Sequence, residues 1–366
     1  MSSAQLTTKQ IMILLCFTVF GTIFFTLPRT IMQASGHSGW VSILVGSLMV
    51  LPLLWLISQI GSSMQEMSII AYCLSLFGPF FGRVFALLIL VPLVFLSGTS
   101  IRLVGELFVT LILPETPLEI IAIMLLVLRY YLAKGGMASI ARWGEVVMPG
   151  VVVLIIIMFG LSFQKVDVER ILPLLNASPM DVFRGSLAIW SVFSEISVLL
   201  FIYPQIKHKN HMFKKLIWCT IIVMFLFEVI FLVTIGTFGS AYTQRLMFPV
   251  VELIKDIAIF DFIEHLESIF LALWVFINVS KGALTFYACC IGTQDWFGTK
   301  DYKELMLPVS VIMFYISLLP DNIYVSIVSF EIAKGVTFCW YAFILLIIVW
   351  IAGKLKARRT ANDQNT

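Results

Sequence analysis

Ile189–Phe201 reads IWSVFSEISVLLF, an apolar run with a carboxylate, Glu195, at its centre. The surrounding run, about 185–206, is long enough to cross a bilayer, whose hydrocarbon core takes roughly 20 apolar residues per helix. A carboxylate in the middle of such a helix costs roughly 2.5–3.5 kcal/mol on insertion scales, so it requires a partner, a proton or a polar cavity. Ser191, Ser194 and Glu195 share one helical face by their three- and four-residue spacing. Ser197 offers a hydroxyl to backbone groups freed by local unwinding. The stretch therefore predicts a helix interrupted at membrane depth, with its polar face turned inward.

The rest of the chain supports that setting. Of 366 residues, 60% are hydrophobic and 12% charged, and the mean hydropathy is +1.02, which excludes a water-soluble domain with one core. The net charge of +3 is small, so the positions of the basic residues carry more information than their sum. Cys16, Cys73, Cys219, Cys289, Cys290 and Cys339 lie in apolar segments without a C-x-x-C pair and read as small packing residues. His208 and His211 sit among lysines in a solvated loop, and His37 and His265 are isolated, so no metal is assigned. Nucleotide-cradling loops, zinc signatures and nucleophile elbows are missing from the sequence, and neither a cofactor nor an enzymatic activity is expected.

Apolar runs long enough to span occur at about 10–32, 39–60, 84–113, 117–132, 146–163, 185–206, 213–239, 257–279, 305–321 and 331–352. The first carries no cleavage pattern and should persist as a span, opened by a T-x-x-Q capping box at Thr7 and Gln10. With the N-terminus cytoplasmic, that side collects Lys9, Arg83, Arg129, Lys134, Arg142, the Lys207–Lys215 cluster, Lys281, Lys300, Lys303 and the Lys354–Arg359 cluster. The opposite side holds Lys165, Arg170, Arg184, Arg245 and Lys255, so the positive-inside rule puts both termini in the cytoplasm. Met64–Phe81, Tyr131–Val146 and Lys281–Phe297 suit short helices along the cytoplasmic interface. Ser178-Pro179 reads as a cap and first turn entering span six.

Ten spans divide into two sets of five, and an odd number per set makes the second antiparallel to the first. Such an inverted repeat puts its ligand site near the midplane, where matching helices are broken. Spans one and six correspond. Span one carries Gly21 and Thr22 at its centre, Thr26 one turn on and then Pro28, so helices one and six are both expected to be discontinuous around a polar cavity. The candidate ligand-binding residues are Gly21, Thr22, Thr26, Ser191, Ser194, Glu195 and Ser197.

Arg102 and Glu106, one turn apart in span three, have two readings: a self-neutralised pair, or Arg102 as counter-ion for Glu195 or for a ligand carboxylate. With Glu228 in span seven they form a set of candidate charge partners or proton sites. Asn278 and Ser280, at the far end of span eight, are candidates for an inner vestibule. Asp261 and Glu264 have capping-box spacing, and Glu264 and Glu267 complement the positive end of that helix.

Four stretches resemble one family: LTTKQIMILL at Leu6–Leu15, LPETPLEIIAIMLLVLRYYLAKGGMASIARWGEVVMP at Leu113–Pro149, LPLLNASPMDVFRGSL at Leu172–Leu187, and FDFIEHLESIFLALWVF at Phe260–Phe276. They are similar to the endospore germination permeases, the B-type subunits of nutrient germinant receptors. These form a branch of the amino acid–polyamine–organocation transporter superfamily, and the resemblance runs in order over nearly the whole chain.

The resemblance implies an all-α integral membrane protein of the LeuT-like type, ten transmembrane helices in a five-plus-five inverted repeat. Residues 1–366 would form a single permease-like domain: repeat one about 8–163, repeat two about 181–352 and a cytoplasmic tail at 353–366. It further implies residence in the inner membrane of the spore, a larger membrane A-type subunit and a lipoprotein C-type subunit as partners, and a small nutrient ligand such as an amino acid. By the same resemblance the ligand lies between spans one, three, six and eight, against Gly21, Thr22, Ser194 and Glu195. The expected function is that of a nutrient-sensing receptor subunit that triggers germination. The alternative is a proton-coupled amino-acid transporter, in which Glu195 or Glu106 takes up the proton.

Overall fold

The computed structural model describes residues 5–256, 266–332 and 342–363. In chain order its helices are α1 (Thr8–Ser35), α2 (Gly39–Met49), α3 (Leu51–Ser63), α4 (Ile69–Leu111), α5 (Leu118–Lys134), α6 (Met137–Ser162), α7 (Pro179–Ser194), α8 (Leu199–Ile202), α9 (Met212–Phe238), α10 (Ser240–Thr243), α11 (Pro249–Lys255), α12 (Leu266–Phe297), α13 (Met306–Leu318), α14 (Ile323–Ile332) and α15 (Ala342–Asp363). A 3₁₀ turn, Glu195–Val198, separates α7 from α8. Helix lies on each of the ten apolar runs. Among the described residues six helical stretches are long and apolar enough to cross a membrane, which makes the chain a multi-pass membrane protein. Asp261 and Glu264, and with them the expected capping pair, together with His265 and Cys339, lie outside what the structure describes.

The helix ends follow from local chemistry. Thr7 accepts from the Gln10 amide at 3.3 Å while the Gln10 side chain accepts from the Thr7 amide at 3.0 Å, the reciprocal capping box that fixes the start of α1. Ser178 caps α7 by accepting from the Asp181 amide at 3.3 Å, with Pro179 in the first turn where its missing N–H costs nothing. Gly78 adopts φ +78°, ψ −178° and breaks α4 into a short leading helix and a long one, which accounts for the separate helix expected within Met64–Phe81.

Two other interfacial segments are corrected. Tyr131–Val146 is the end of α5 and the start of α6, joined across Gly135 and Gly136, and Lys281–Phe297 continues α12 without interruption. Both segments carry enough apolar residues between their charges to extend a packed helix, and Lys281, at the head of the second, turns inward, as described below.

α1 lies at the centre and packs against α7, α12, α6 and α9. A parallel bridge ties its leading residue Leu6 to Ile206, just beyond the broken helix, through the bonds Leu6 N to Gln205 O (2.7 Å) and Lys207 N to Leu6 O (3.1 Å). The Cys16 and Cys219 sulfurs meet at 3.6 Å between α1 and α9. α7 is held against α2 by small residues. A Cβ on Gly46 would stand 2.6 Å from Ile189 Cβ and 2.7 Å from Ser186 O, so only glycine permits this approach. The outward faces are apolar, with Phe80, Phe81, Val146, Ile156 and Trp218 all exposed, as suits side chains that meet lipid.

The structure overturns the expected break in span one. α1 is one α-helix from Thr8 to Ser35, passing through Gly21 and Thr22 and incorporating Pro28. The backbone stays α-helical through Gly21, and Pro28, whose missing N–H removes one bond from the ladder, is accommodated within the same helix. Gly21 serves spacing instead: a Cβ there would lie 2.9 Å from Lys281 Cδ and 3.3 Å from Asn278 Oδ1. Span six does change its helical form, and it does so at Glu195.

Candidate functional site: a buried charge constellation

Glu195 begins the 3₁₀ turn in the middle of the sixth apolar run. Its environment is closed, with 2% of its surface exposed. The Lys281 ammonium on α12 stands 2.5 Å from Glu195 Oε2, and Thr22 of α1 donates from its hydroxyl to Oε1 at 3.1 Å. Lys281 also donates to the Thr22 hydroxyl. Three helical elements remote in sequence thus converge on one carboxylate, and each contributor lies near the middle of its apolar run or helix. A buried ion pair is tolerable only when both partners stay together and their remaining valences are met. Thr22 supplies that third contact, and the absence of a side chain at Gly21 gives the Lys281 stem room to pass α1.

The serines expected beside Glu195 are buried but turned to their own helix. Ser191 donates to Ala188 O at 2.7 Å and Ser194 to Ser191 O at 2.6 Å, which satisfies the hydroxyls where the helix tightens. Ser197 lies within the 3₁₀ turn, and Thr26 lies buried one turn after Thr22. Asn278 donates to Trp274 O at 3.1 Å, one turn before Lys281. Asn278 and Ser280 are therefore buried mid-helix neighbours of the charge pair rather than residues at the end of a span, since α12 continues to Phe297.

Arg102 and Glu106 neutralise each other, with Arg102 Nη2 2.7 Å and Nε 2.8 Å from Glu106 Oε1, and the Ser326 hydroxyl adds a 3.4 Å contact from α14. Of the two readings of Arg102, the self-neutralised pair is observed, and the counter-ion of Glu195 is Lys281. Both carboxylate oxygens of Glu228 are buried without a hydrogen-bond partner among the described residues.

Lys281 and Arg129, both expected on the cytoplasmic surface, are instead buried. Arg129 is 1% exposed, donates through Nη1 to Ser97 O at 3.4 Å and Ser100 Oγ at 3.3 Å, and packs on Gly282. One signal was present for both: each lies at or beside the end of an apolar run, where a basic residue is ordinarily taken to reach solvent. Lys281 follows Asn278 by three positions, which puts the two on one helical face.

The backbone resembles that of Mhp1, a nucleobase-cation-symport-1 family transporter solved in a closed conformation with bromovinylhydantoin bound: the TM-score is 0.64 at 10% identity, over 90% of this chain and 75% of that one. The fold is thus of a membrane-transporter type. Residues 5–326 match the family described as spore germination protein, and the chain belongs to that family. Its relatives include spore germination protein A2 of Bacillus subtilis (24% identical, 87% of each chain) and spore germination protein GerQB of Bacillus cereus (24% identical, 88% of this chain and 89% of the relative). Spore germination protein KB of Bacillus subtilis is 21% identical over 87% of this chain and 86% of its own.

Proposed function

We propose that the protein is the nutrient-sensing subunit of a spore germinant receptor, binding a small amino-acid-like ligand where α1, the 3₁₀ turn at Glu195 and α12 meet. The observation that carries this reading is the Glu195–Lys281–Thr22 constellation, closed and charged in the middle of an apolar bundle. Membership of the spore germination family supports the physiological role, and the transporter-type fold supports a central ligand site. In this reading the ten helical runs form two inverted sets of five, about 8–163 and 181–352. The protein resides in the spore inner membrane with both termini cytoplasmic, and it acts with a larger membrane subunit and a lipoprotein. The cytoplasmic excess of basic residues persists once Arg129 and Lys281 are set aside as buried.

Ligand shifts the balance between two arrangements of the bundle only by its differential affinity for them. A side-chain network that is paired in the closed form and must rearrange around a guest provides such a difference. The test is to reconstitute the purified full chain in liposomes, measure uptake of radiolabelled amino acids with and without a proton gradient, and record thermal unfolding midpoints with the same ligands. Ligand-induced stabilisation without uptake, abolished by Glu195→Gln, is the expected result. Gradient-dependent accumulation would replace the sensor by a proton-coupled transporter.

A further inference from the structure

We infer that the open face near the end of α15 is a binding site for an anionic phospholipid, its phosphate held by Lys354 and Arg358 and its acyl chain laid along Trp350, Ile351 and Leu355. These five residues line a groove of about 370 Å³. Trp350, Lys354 and Arg358 follow one another in steps of four, as do Ile351 and Leu355, so a single face of the helix carries them all. None belongs to the constellation at Glu195, and the inference stands apart from it.

α15 changes character at one level. Ala342–Ala352 is apolar, whereas Lys354, Lys356, Arg358 and Arg359 follow with no acid before Asp363, which puts the boundary between hydrocarbon and water near Gly353. A basic end beyond a span ordinarily meets only water. Here one face of it is docked on the protein: a Cβ on Gly353 would stand 2.3 Å from Tyr72 Oη, and Lys356 donates to Ser75 O at 2.7 Å, both on the leading part of α4. Lys354 and Arg358 lie on the other face, and among the described residues neither forms an ion pair.

The neighbouring elements supply no counter-charge. α15 packs on α3 and α4; α3 has no charged residue, and α4 has only Arg83 before Arg102. The acids beside the start of α4 are engaged elsewhere, Glu66 with Lys209 at 3.0 Å and Asp295 with the Ser68 hydroxyl. An anion at Lys354 and Arg358 therefore meets a field of one sign.

The apolar half of the groove decides which anion. Ile351 is 46% and Leu355 55% exposed, and the Trp350 ring stands edge-on to Trp55 of α3 at 5.1 Å, which fixes it as a wall. A free phosphate would use the basic pair and leave this floor bare. A second copy related by a twofold axis would bring Lys354 and Arg358 towards their own kind. A phospholipid meets both halves: its phosphate takes the planar guanidinium and the ammonium, and its chain covers the apolar side chains.

The experiment places the full chain in phosphatidylcholine nanodiscs and titrates phosphatidylglycerol or phosphatidylcholine with brominated acyl chains, which quench nearby tryptophans. The Trp350 signal is the difference between the wild type and Trp350→Phe. Phosphatidylglycerol is expected to quench it at about one tenth or less of the phosphatidylcholine concentration, the order expected for two basic residues facing an anionic lipid. Raising the salt should narrow that preference, since the two charges are exposed. In Lys354→Gln/Arg358→Gln the two lipids should come within about threefold of each other, at an unchanged thermal midpoint, because exposed side chains away from packing contacts contribute little to stability.

Equal quenching by the two lipids in the wild type overturns the inference. A preference that survives in Lys354→Gln/Arg358→Gln overturns the location. Relief of quenching by inorganic phosphate at the lipid's own concentration would make the face a site for a free anion and overturn the lipid. A dimer seen by light scattering in micelles and lost in the double variant would give the face to a second copy instead.

Discussion

Lys281 Nζ lies 2.5 Å from Glu195 Oε2, joining the middle of α12 to the point where the sixth apolar run changes from α-helix to 3₁₀ turn. Both side chains are closed off from solvent in this arrangement, so the pair behaves as one unit whose halves are stable only together.

That coupling is measurable. Lys281→Met leaves the Glu195 carboxylate without its counter-ion and is expected to destabilise the protein by about 3–5 kcal/mol, whereas Glu195→Gln/Lys281→Met recovers at least half of that loss. Reversible unfolding of the purified protein in mixed micelles gives the comparison. A double variant as unstable as the sum of the two single ones would show that the side chains act independently.

Gly21 tests the close passage of α1 and α12. Gly21→Val puts a branched side chain where even a Cβ meets Lys281 Cδ at 2.9 Å, and overpacking of this kind costs about 1–3 kcal/mol. Gly21→Ala meets the flexible lysine stem rather than backbone and is expected to cost less. Equal thermal midpoints for the wild type and Gly21→Val would contradict the contact.

The α2–α7 interface is stiffer, because backbone is among the obstacles. Gly46→Leu drives into Ser186 O and Ile189 and is expected to exceed Gly21→Ala in its effect, with a loss of about 3 kcal/mol at the upper end of overpacking. Germination dose–response curves of spores with this substitution should fall in amplitude with the protein's abundance and keep their midpoint, since the site itself is untouched.

Arg102 and Glu106 should couple to each other and not to the ligand. A double-mutant cycle with Arg102→Met and Glu106→Met is expected to give an interaction energy of about 0.5–3 kcal/mol, as for residues in direct contact. The nutrient concentration for half-maximal response should match the wild type in the double variant. A shifted midpoint there would return Arg102 to the ligand site.

Much of this protein was legible in its residues. Apolar runs spaced by charged connections require membrane-spanning helices, because backbone groups in lipid must be satisfied within each segment. The caps at Thr7 and Ser178 depend on three-residue spacing and were readable for the same reason: their chemistry is local. Glu195 announced itself by cost, a carboxylate at a depth where it cannot be left alone.

What the residues by themselves did not reveal was the company Glu195 keeps. Lys281 stands beside the apparent end of a hydrophobic run, where a lysine ordinarily extends to the interface, and only the packing of α12 along α1 turns it inward to the carboxylate. Gly21 illustrates the same limit from the other side, since glycine serves equally to break a helix and to admit a neighbour. The choice between those uses is made by whatever lies opposite, here the stem of Lys281 and the Asn278 side chain. Local periodicity and burial cost belong to single segments, whereas the partner of a buried charge is a property of how segments meet.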